Sequence, residues 1–221
     1  STSPDQRIAL RINSLRTAAG ISDLATLCAT PNLPQWLLLP LVESSAEIAI
    51  VRGALGERCP RLIALIETPL GVREARAIAK AEGCSALMLG GADLSAELGC
   101  SFSWEPLLAA RSELVLACAE AGITAIDVPH IQLDDVVGLA EETRRAHAMG
   151  FRMKAAIHPA QLDVLRNILA PGDTEIAEAK DALRAFADAG GRAVLHKGKM
   201  LEVPLMRRFE RIAAYKEKPR A

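Results

Sequence analysis

The sequence carries no excess of either charge, no paired-cysteine motif and no long apolar run, and each absence closes off a class of function. Its 26 Lys and Arg residues nearly cancel its 27 Asp and Glu residues. It therefore has neither the basic field that gathers nucleic acid nor an acidic tail. The clustered arginines, Arg144-Arg145 and Arg207-Arg208 with Arg211, stand among acids and read as solvated helix faces. The five cysteines (Cys28, Cys59, Cys84, Cys100, Cys118) are odd in number, widely spaced and form no C-x-x-C, which points to reduced thiols. No apolar run approaches the ~20 residues of a membrane span, and no signal peptide opens the chain. The expectation is a soluble, cytoplasmic protein. No G-x-G-x-x-G follows a strand and no P-loop is present, which argues against a dinucleotide-binding sheet.

Half of the residues are apolar, ample for one large domain or two small ones. Short apolar runs that suit strands recur at Ile8–Ile12, Trp36–Leu39, Leu62–Ile66, Ala86–Leu89, Thr124–Val128 and Lys154–Ile157. Helical periodicity fills the gaps, at 44–57, 72–83, 104–122 and 134–150, the last three ending on glycine. Strand-helix units of about 30 residues mean a parallel sheet covered by helices. Of the open doubly wound sheet and the closed barrel, the absence of a nucleotide fingerprint favours the second: a TIM (β/α)8-type barrel, six of whose eight strands are visible. The barrel spans 1–171, and residues 172–221 form a C-terminal helical extension.

A TIM barrel places its functional groups at the C-terminal ends of its strands. Here those ends carry Arg11 and Asn13, Glu43, Glu67, Asp93, Asp127 with His130, and His158 with Gln161. Glu67 and Asp93 are one strand-helix unit apart, each just beyond its strand. Adjacent strands lie about 4.8 Å apart, so both carboxylates can reach one cation. Mg2+ takes oxygen ligands, often one or two carboxylates completed by water and substrate. No His or Cys at ligand spacing suggests zinc. Each residue alone has a structural alternative, Asp93 capping a short helix and Glu67 pairing with an arginine; together they favour the metal. Arg11 offers a planar fork for a carboxylate or an enolate. Asp127 is read either as an acid or base or as a buried loop-capping carboxylate. His158, before Pro159, reads more readily as a strand-end residue, and Arg111 as an exposed helix charge.

The segments "LRIN" (10–13), "LLPLVES" (38–44), "LIALIET" (62–68), "LMLGGADLSAELG" (87–99), "AID" (125–127), "IHPAQ" (157–161) and "GKM" (198–200) resemble, in order and spacing, the citrate lyase β-subunit family and its malyl-CoA and citramalyl-CoA lyase relatives. The resemblance implies a Mg2+-dependent TIM barrel that cleaves or forms a carbon–carbon bond beside a thioester. It gives Glu67 and Asp93 as the metal carboxylates and Arg11 as the residue that holds substrate and stabilises the enolate; Asp127 is a further catalytic candidate on the reading of the residue itself. The resemblance also places Arg11, Glu67, Asn13 and His158 around the substrate. It implies an acyl-CoA or acyl-carrier thioester partner and a homo-oligomer, a trimer or hexamer, with no nucleic acid or membrane. Leu41 stands where the family has lysine, Ala92 precedes Asp93 where Glu is common, and the first two strand-helix units are not visible, so further residues are expected upstream. Two other readings are a non-catalytic or regulatory barrel subunit and a class II pyruvate-type aldolase acting on free 2-oxo-acid aldols.

Overall fold

The computed structural model describes residues 8–215. Six strands, β1 (Ala9–Arg11), β2 (Trp36–Leu39), β3 (Arg61–Ile66), β4 (Cys84–Leu89), β5 (Thr124–Asp127) and β6 (Met153–Lys154), form one sheet in sequential order, every pair parallel. Parallel neighbours require crossover connections. These are supplied by α1 (Ala18–Ala29), α2 (Ser45–Leu55), α3 (Pro69–Ala79), α4 (Gly91–Leu98) with α5 (Leu108–Ala121), and α6 (Val136–Met149). The sheet curls into a half-barrel of six staves, the TIM-barrel-type architecture expected from the sequence.

Alternation along the strands divides the core into two layers. Leu37, Leu39, Leu62, Ala64, Ile66, Leu87 and Leu89 enter the large cluster that also holds Ile48, Val51, Ile78 and Leu114 from the helices. Ile63, Leu65, Ala86 and Ile126 form a second, smaller cluster with Trp36, Leu38 and Met88. The register of β3 on β4 shifts between Leu62 and Ile63, which pair with Cys84 and Ala86. This bulge at Ser85 changes the parity of β4. Cys84 and Leu87, three apart, consequently share the helix-covered core.

Several boundaries differ from those read in the sequence. The run Lys154–Ile157 pairs only at its start. Ala155 N–H still donates to Asp127 O (3.0 Å), but Ile157 N–H turns to the Gln161 side chain (3.0 Å). Helix α1 was not foreseen; Thr17 caps it by accepting from Gly20 N–H (3.1 Å). Gly20 is needed there because a Cβ would overlap the Ser14 carbonyl. The chain divides into two compact units after Leu162, earlier than the boundary at 171. Helix α7 (Leu162–Leu169) begins at this division.

The second unit contains α8 (Asp173–Asp188), an antiparallel hairpin of β7 (Val194–His196) and β8 (Lys199–Leu201), and α9 (Val203–Ala213). The expected helical extension thus also contains a hairpin. Its two-residue turn, Lys197-Gly198, has both residues at positive φ (48° and 75°), the twist that tight hairpins prefer. Ala182, Leu201 and Met206 form its core with Phe186 and Phe209. Asp181 faces His196 Nε2 and Lys197 Nζ, each at 2.8 Å. Hydrogen bonds from Lys197 and His196 hold its carboxyl at a pKa of about 2. Among the described residues no helix is long and apolar enough to cross a membrane.

Leu87 is fully buried between sheet and helices. Truncating it in Leu87→Ala is expected to destabilise the fold by about 2–5 kcal/mol, read as a lower urea midpoint. Val137→Ala, at a position 77% exposed, should leave the midpoint nearly unchanged.

Candidate metal and substrate site

Strand β3 runs apolar to Ile66 and places Glu67 immediately beyond its end, only 6% exposed. Thr68 leaves the strand extended (φ −131°) and caps α3, accepting from Gly71 N–H at 3.0 Å, with Pro69 opening the helix. This strand-cap-helix corner fixes the glutamate at the sheet end. On the neighbouring stave, Gly90 N–H donates to Ile66 O (2.9 Å). Gly90 lies so close that a Cβ there would overlap the Glu67 side chain. The glycine is a requirement of this carboxylate's position. Beyond it, Asp93 occupies the exposed first turn of α4, where the helix dipole favours negative charge.

Burial pushes the Glu67 pKa up. The Leu41 N–H, donating to Glu67 Oε2 at 2.8 Å, opposes this; the Asp93 carboxylate raises it further and Arg11 lowers it. Glu67, Asp93 and Arg11 therefore act on one another at the ends of β3, β4 and β1. Two carboxylates side by side, one of them buried, are a poor arrangement for anions alone and a good one for a hard cation. Among the described residues no three Asp, Glu, His or Cys side chains converge on one point. The donor set is two carboxylates, which suits Mg2+ completed by water and substrate and does not suit a closed zinc site.

Asn13, just after β1, is tied to α1: its backbone N–H and its side-chain amide both donate to Asp23 Oδ2, at 2.8 and 2.9 Å. These bonds lower the Asp23 pKa. His158 is exposed past β6, where its Nδ1 accepts from Ala160 N–H at 3.2 Å. Neighbouring Gln161 is buried and donates to His130 O (2.8 Å), bridging the loops after β5 and β6.

Asp127 lies elsewhere in character. It is fully buried, with Arg111 Nε on Oδ1 at 2.9 Å and Lys154 Nζ on Oδ2 at 2.7 Å. Of the two sequence readings, acid-base group or buried carboxylate, its surroundings are those of the second. Arg111, expected as an exposed helix charge, is 1% exposed. It stacks on Trp104 (4.2 Å to the ring centroid), with Arg145 at 4.3 Å from the same ring. Arg145 is thus not simply a solvated helix charge. Lys154 and Arg111 both reach Glu142 Oε1, at 3.1 and 3.2 Å, and Glu142 Oε2 meets His130 Nδ1 at 2.7 Å. Lys154, Glu142 and this role for Arg111 escaped the sequence reading. A lysine inside a buried strand was the available signal, since such a charge demands a partner.

The model of the HpcH/HpaI aldolase/citrate lyase family matches residues 2–159. The chain belongs to that family. Human mitochondrial citramalyl-CoA lyase is 31% identical over 223 residues, covering 91% of this chain and 66% of the enzyme's own length. RipC from Yersinia pestis superposes with a TM-score of 0.74 at 44% identity, over 76% of this chain and 79% of that one. The protein CitE from Mycobacterium tuberculosis, in complex with magnesium, acetoacetate and coenzyme A, superposes with a TM-score of 0.76 at 32% identity, over 94% and 78%. This chain thus spans about two thirds of the human lyase it matches.

The Arg111–Asp127–Lys154–Glu142 cluster sets two expectations. Asp127→Asn leaves buried cations uncompensated and should destabilise the protein by about 3 kcal/mol, measured by urea unfolding. Burial would raise the Glu142 pKa, but Lys154, His130 and Arg111 outweigh it and hold the carboxyl below 4.5. A depressed carboxylate stabilises the fold above its unfolded pKa and loses that contribution as pH falls through the folded one. The stability gap between wild type and Glu142→Gln should therefore be full at pH 7 and close on acidification below 4.5.

Proposed function

We propose that this protein is a Mg2+-dependent carbon–carbon lyase acting on a short hydroxyacyl thioester, of the citramalyl-CoA, malyl-CoA or citryl-thioester kind. The observation that carries the reading is the Glu67–Asp93 carboxylate pair beside Arg11 on one rim of the half-barrel. The names of the human lyase and of the magnesium- and coenzyme A-bound CitE complex support it.

In the cleavage, the substrate hydroxyl gives up its proton and the carbon–carbon bond breaks. The electron pair passes into the thioester as an enolate, which then takes up a proton. Bound Mg2+ supplies a Lewis acid for the oxygens of the 2-oxo fragment. Glu67 and Asp93 hold that cation. Arg11 sets its guanidinium against the enolate oxygen or a substrate carboxylate, a fixed charge where charge develops. Glu67 keeps one orientation because the Leu41 amide holds Oε2 and Gly90 packs against its stem. Asn13, braced by Asp23, and His158, open past β6, are assigned to the mouth where the acyl-CoA arm enters. Asp127 is assigned to supporting that rim from beneath. The protein is placed in the cytoplasm as a homo-oligomer, a trimer or hexamer.

The test is cleavage of citramalyl-CoA and malyl-CoA by the full-length protein, with and without Mg2+. Turnover should require the metal, and Glu67→Gln should lower it at least about 100-fold (about 2.7 kcal/mol of transition-state stabilisation). Because burial raises the Glu67 pKa, protons compete there at higher pH than at an ordinary glutamate. Mg2+ affinity should accordingly weaken early on acidification. Equal turnover of the corresponding free acids would favour an aldolase. Absence of Mg2+-dependent turnover on every short hydroxyacyl-CoA would leave the non-catalytic subunit.

A further inference from the structure

Two non-glycine residues among those described have positive φ: Lys197 and Leu41, at 48° and 54°. Lys197 occupies a hairpin turn where that conformation is ordinary. Leu41 is the second central residue of the Pro40-Leu41 turn that follows β2; that position can take positive φ, but glycine or asparagine is the residue it favours, and for a leucine the left-handed region is strained. The two peptide groups flanking its Cα explain the conformation. Its N–H donates to Glu67 Oε2 at 2.8 Å. Its carbonyl accepts from Arg16 Nη2, also at 2.8 Å, while Arg16 Nη1 pairs with Glu43. One guanidinium thus grips the loop on both sides of Val42. The planar fork of arginine suits a carbonyl and a carboxylate together, and an ammonium does not.

Both ends of this grip are anchored. Arg16 sits between Ser14 and the α1 cap: its own N–H reaches Ser14 Oγ at 3.4 Å, and Thr17 N–H reaches Ser14 O at 2.9 Å. On the other side, Ser44 caps α2 and the Glu47 side chain reaches back to the loop. Ser44 Oγ accepts from Ala46 N–H (3.1 Å), and Glu47 Oε1 accepts from Glu43 N–H (2.9 Å). The loop cannot simply follow a displaced arginine. Without Arg16, relaxation of Leu41 to a right-handed conformation would rotate both peptide planes and turn the N–H away from Glu67.

We propose that Arg16 is a positioning residue for Glu67, acting through the backbone of Leu41. Its importance for cation binding rests on the function proposed above; its action on Leu41 does not. The full-length, metal-free protein decides the second point by amide hydrogen exchange at residue 41, followed by NMR. Exchange should quicken about tenfold in Arg16→Ala, the scale of the penalty on a left-handed leucine. Arg16→Gln, which keeps a donor and most of the stem, serves if Arg16→Ala does not fold. Adding Leu41→Gly to Arg16→Ala should restore much of the protection, because glycine takes positive φ freely. Mg2+ affinity by calorimetry should follow the same order, weakest in Arg16→Ala and recovered in the double variant. Unchanged exchange at residue 41 without Arg16 overturns the proposal, as does a double variant no better than Arg16→Ala. A wild type that takes up no Mg2+ overturns the metal reading, while the exchange comparison still decides on Arg16.

Discussion

Glu67 must stay charged where an apolar strand ends. Its position beside Asp93 makes that harder, because burial and a like charge both favour protonation. The surrounding structure compensates from several sides. A backbone amide reaches one oxygen from the β2–α2 loop, Arg11 contributes opposite charge from β1, and Thr68 closes the corner so the carboxylate stays at the rim. Gly90 lets the next stave approach. These residues come from four consecutive staves, so the site is a property of the curled sheet and not of any one loop.

A second group of buried charges shows why this pair is the candidate metal site. Arg111 and Lys154 face Asp127 and Glu142, so the charges balance, and both Asp127 oxygens have partners under 3 Å. Such a cluster is complete and has no call for an external ion. Removing any one member leaves the rest unpaired in low dielectric, which is where its structural weight lies. Glu67 and Asp93 carry two negative charges against Arg11 and one amide dipole, and Asp93 is open to solvent. The balanced cluster braces the half-barrel below β5 and β6. The unbalanced pair invites a cation.

Much of this arrangement was legible because parallel strands buried on both faces leave a plain signature: apolar runs ending in a polar residue, about 30 residues apart. Glu67 stood out as a charge directly after such a run. Helix α1 did not, because its Gly20 lowers helix propensity and its value lies in a close approach to Ser14 that only the fold creates. Arg111 was misjudged since helical position reveals periodicity but not which face meets a buried aspartate sixteen residues on. Leu41 stood out only as a departure from the family's lysine. Its contribution is a backbone dihedral, and a leucine in sequence carries no mark of it.

Energetically, Leu41 is a local loss sustained by its neighbours. A left-handed leucine costs roughly 1–2 kcal/mol relative to a relaxed one. A hydrogen bond to a charged group contributes roughly 1.5–3 kcal/mol, and the N–H to Glu67 is such a bond. The two nearly cancel, so the amide alone would hold the conformation only weakly. The guanidinium on the Leu41 carbonyl tips the balance. Because Arg16 is partly exposed, its ion pair with Glu43 adds little stability of its own; its effect is directional, turning one peptide plane. Strain of this size persists where surrounding contacts over-determine it. Here those contacts converge on the carboxylate that the candidate site requires.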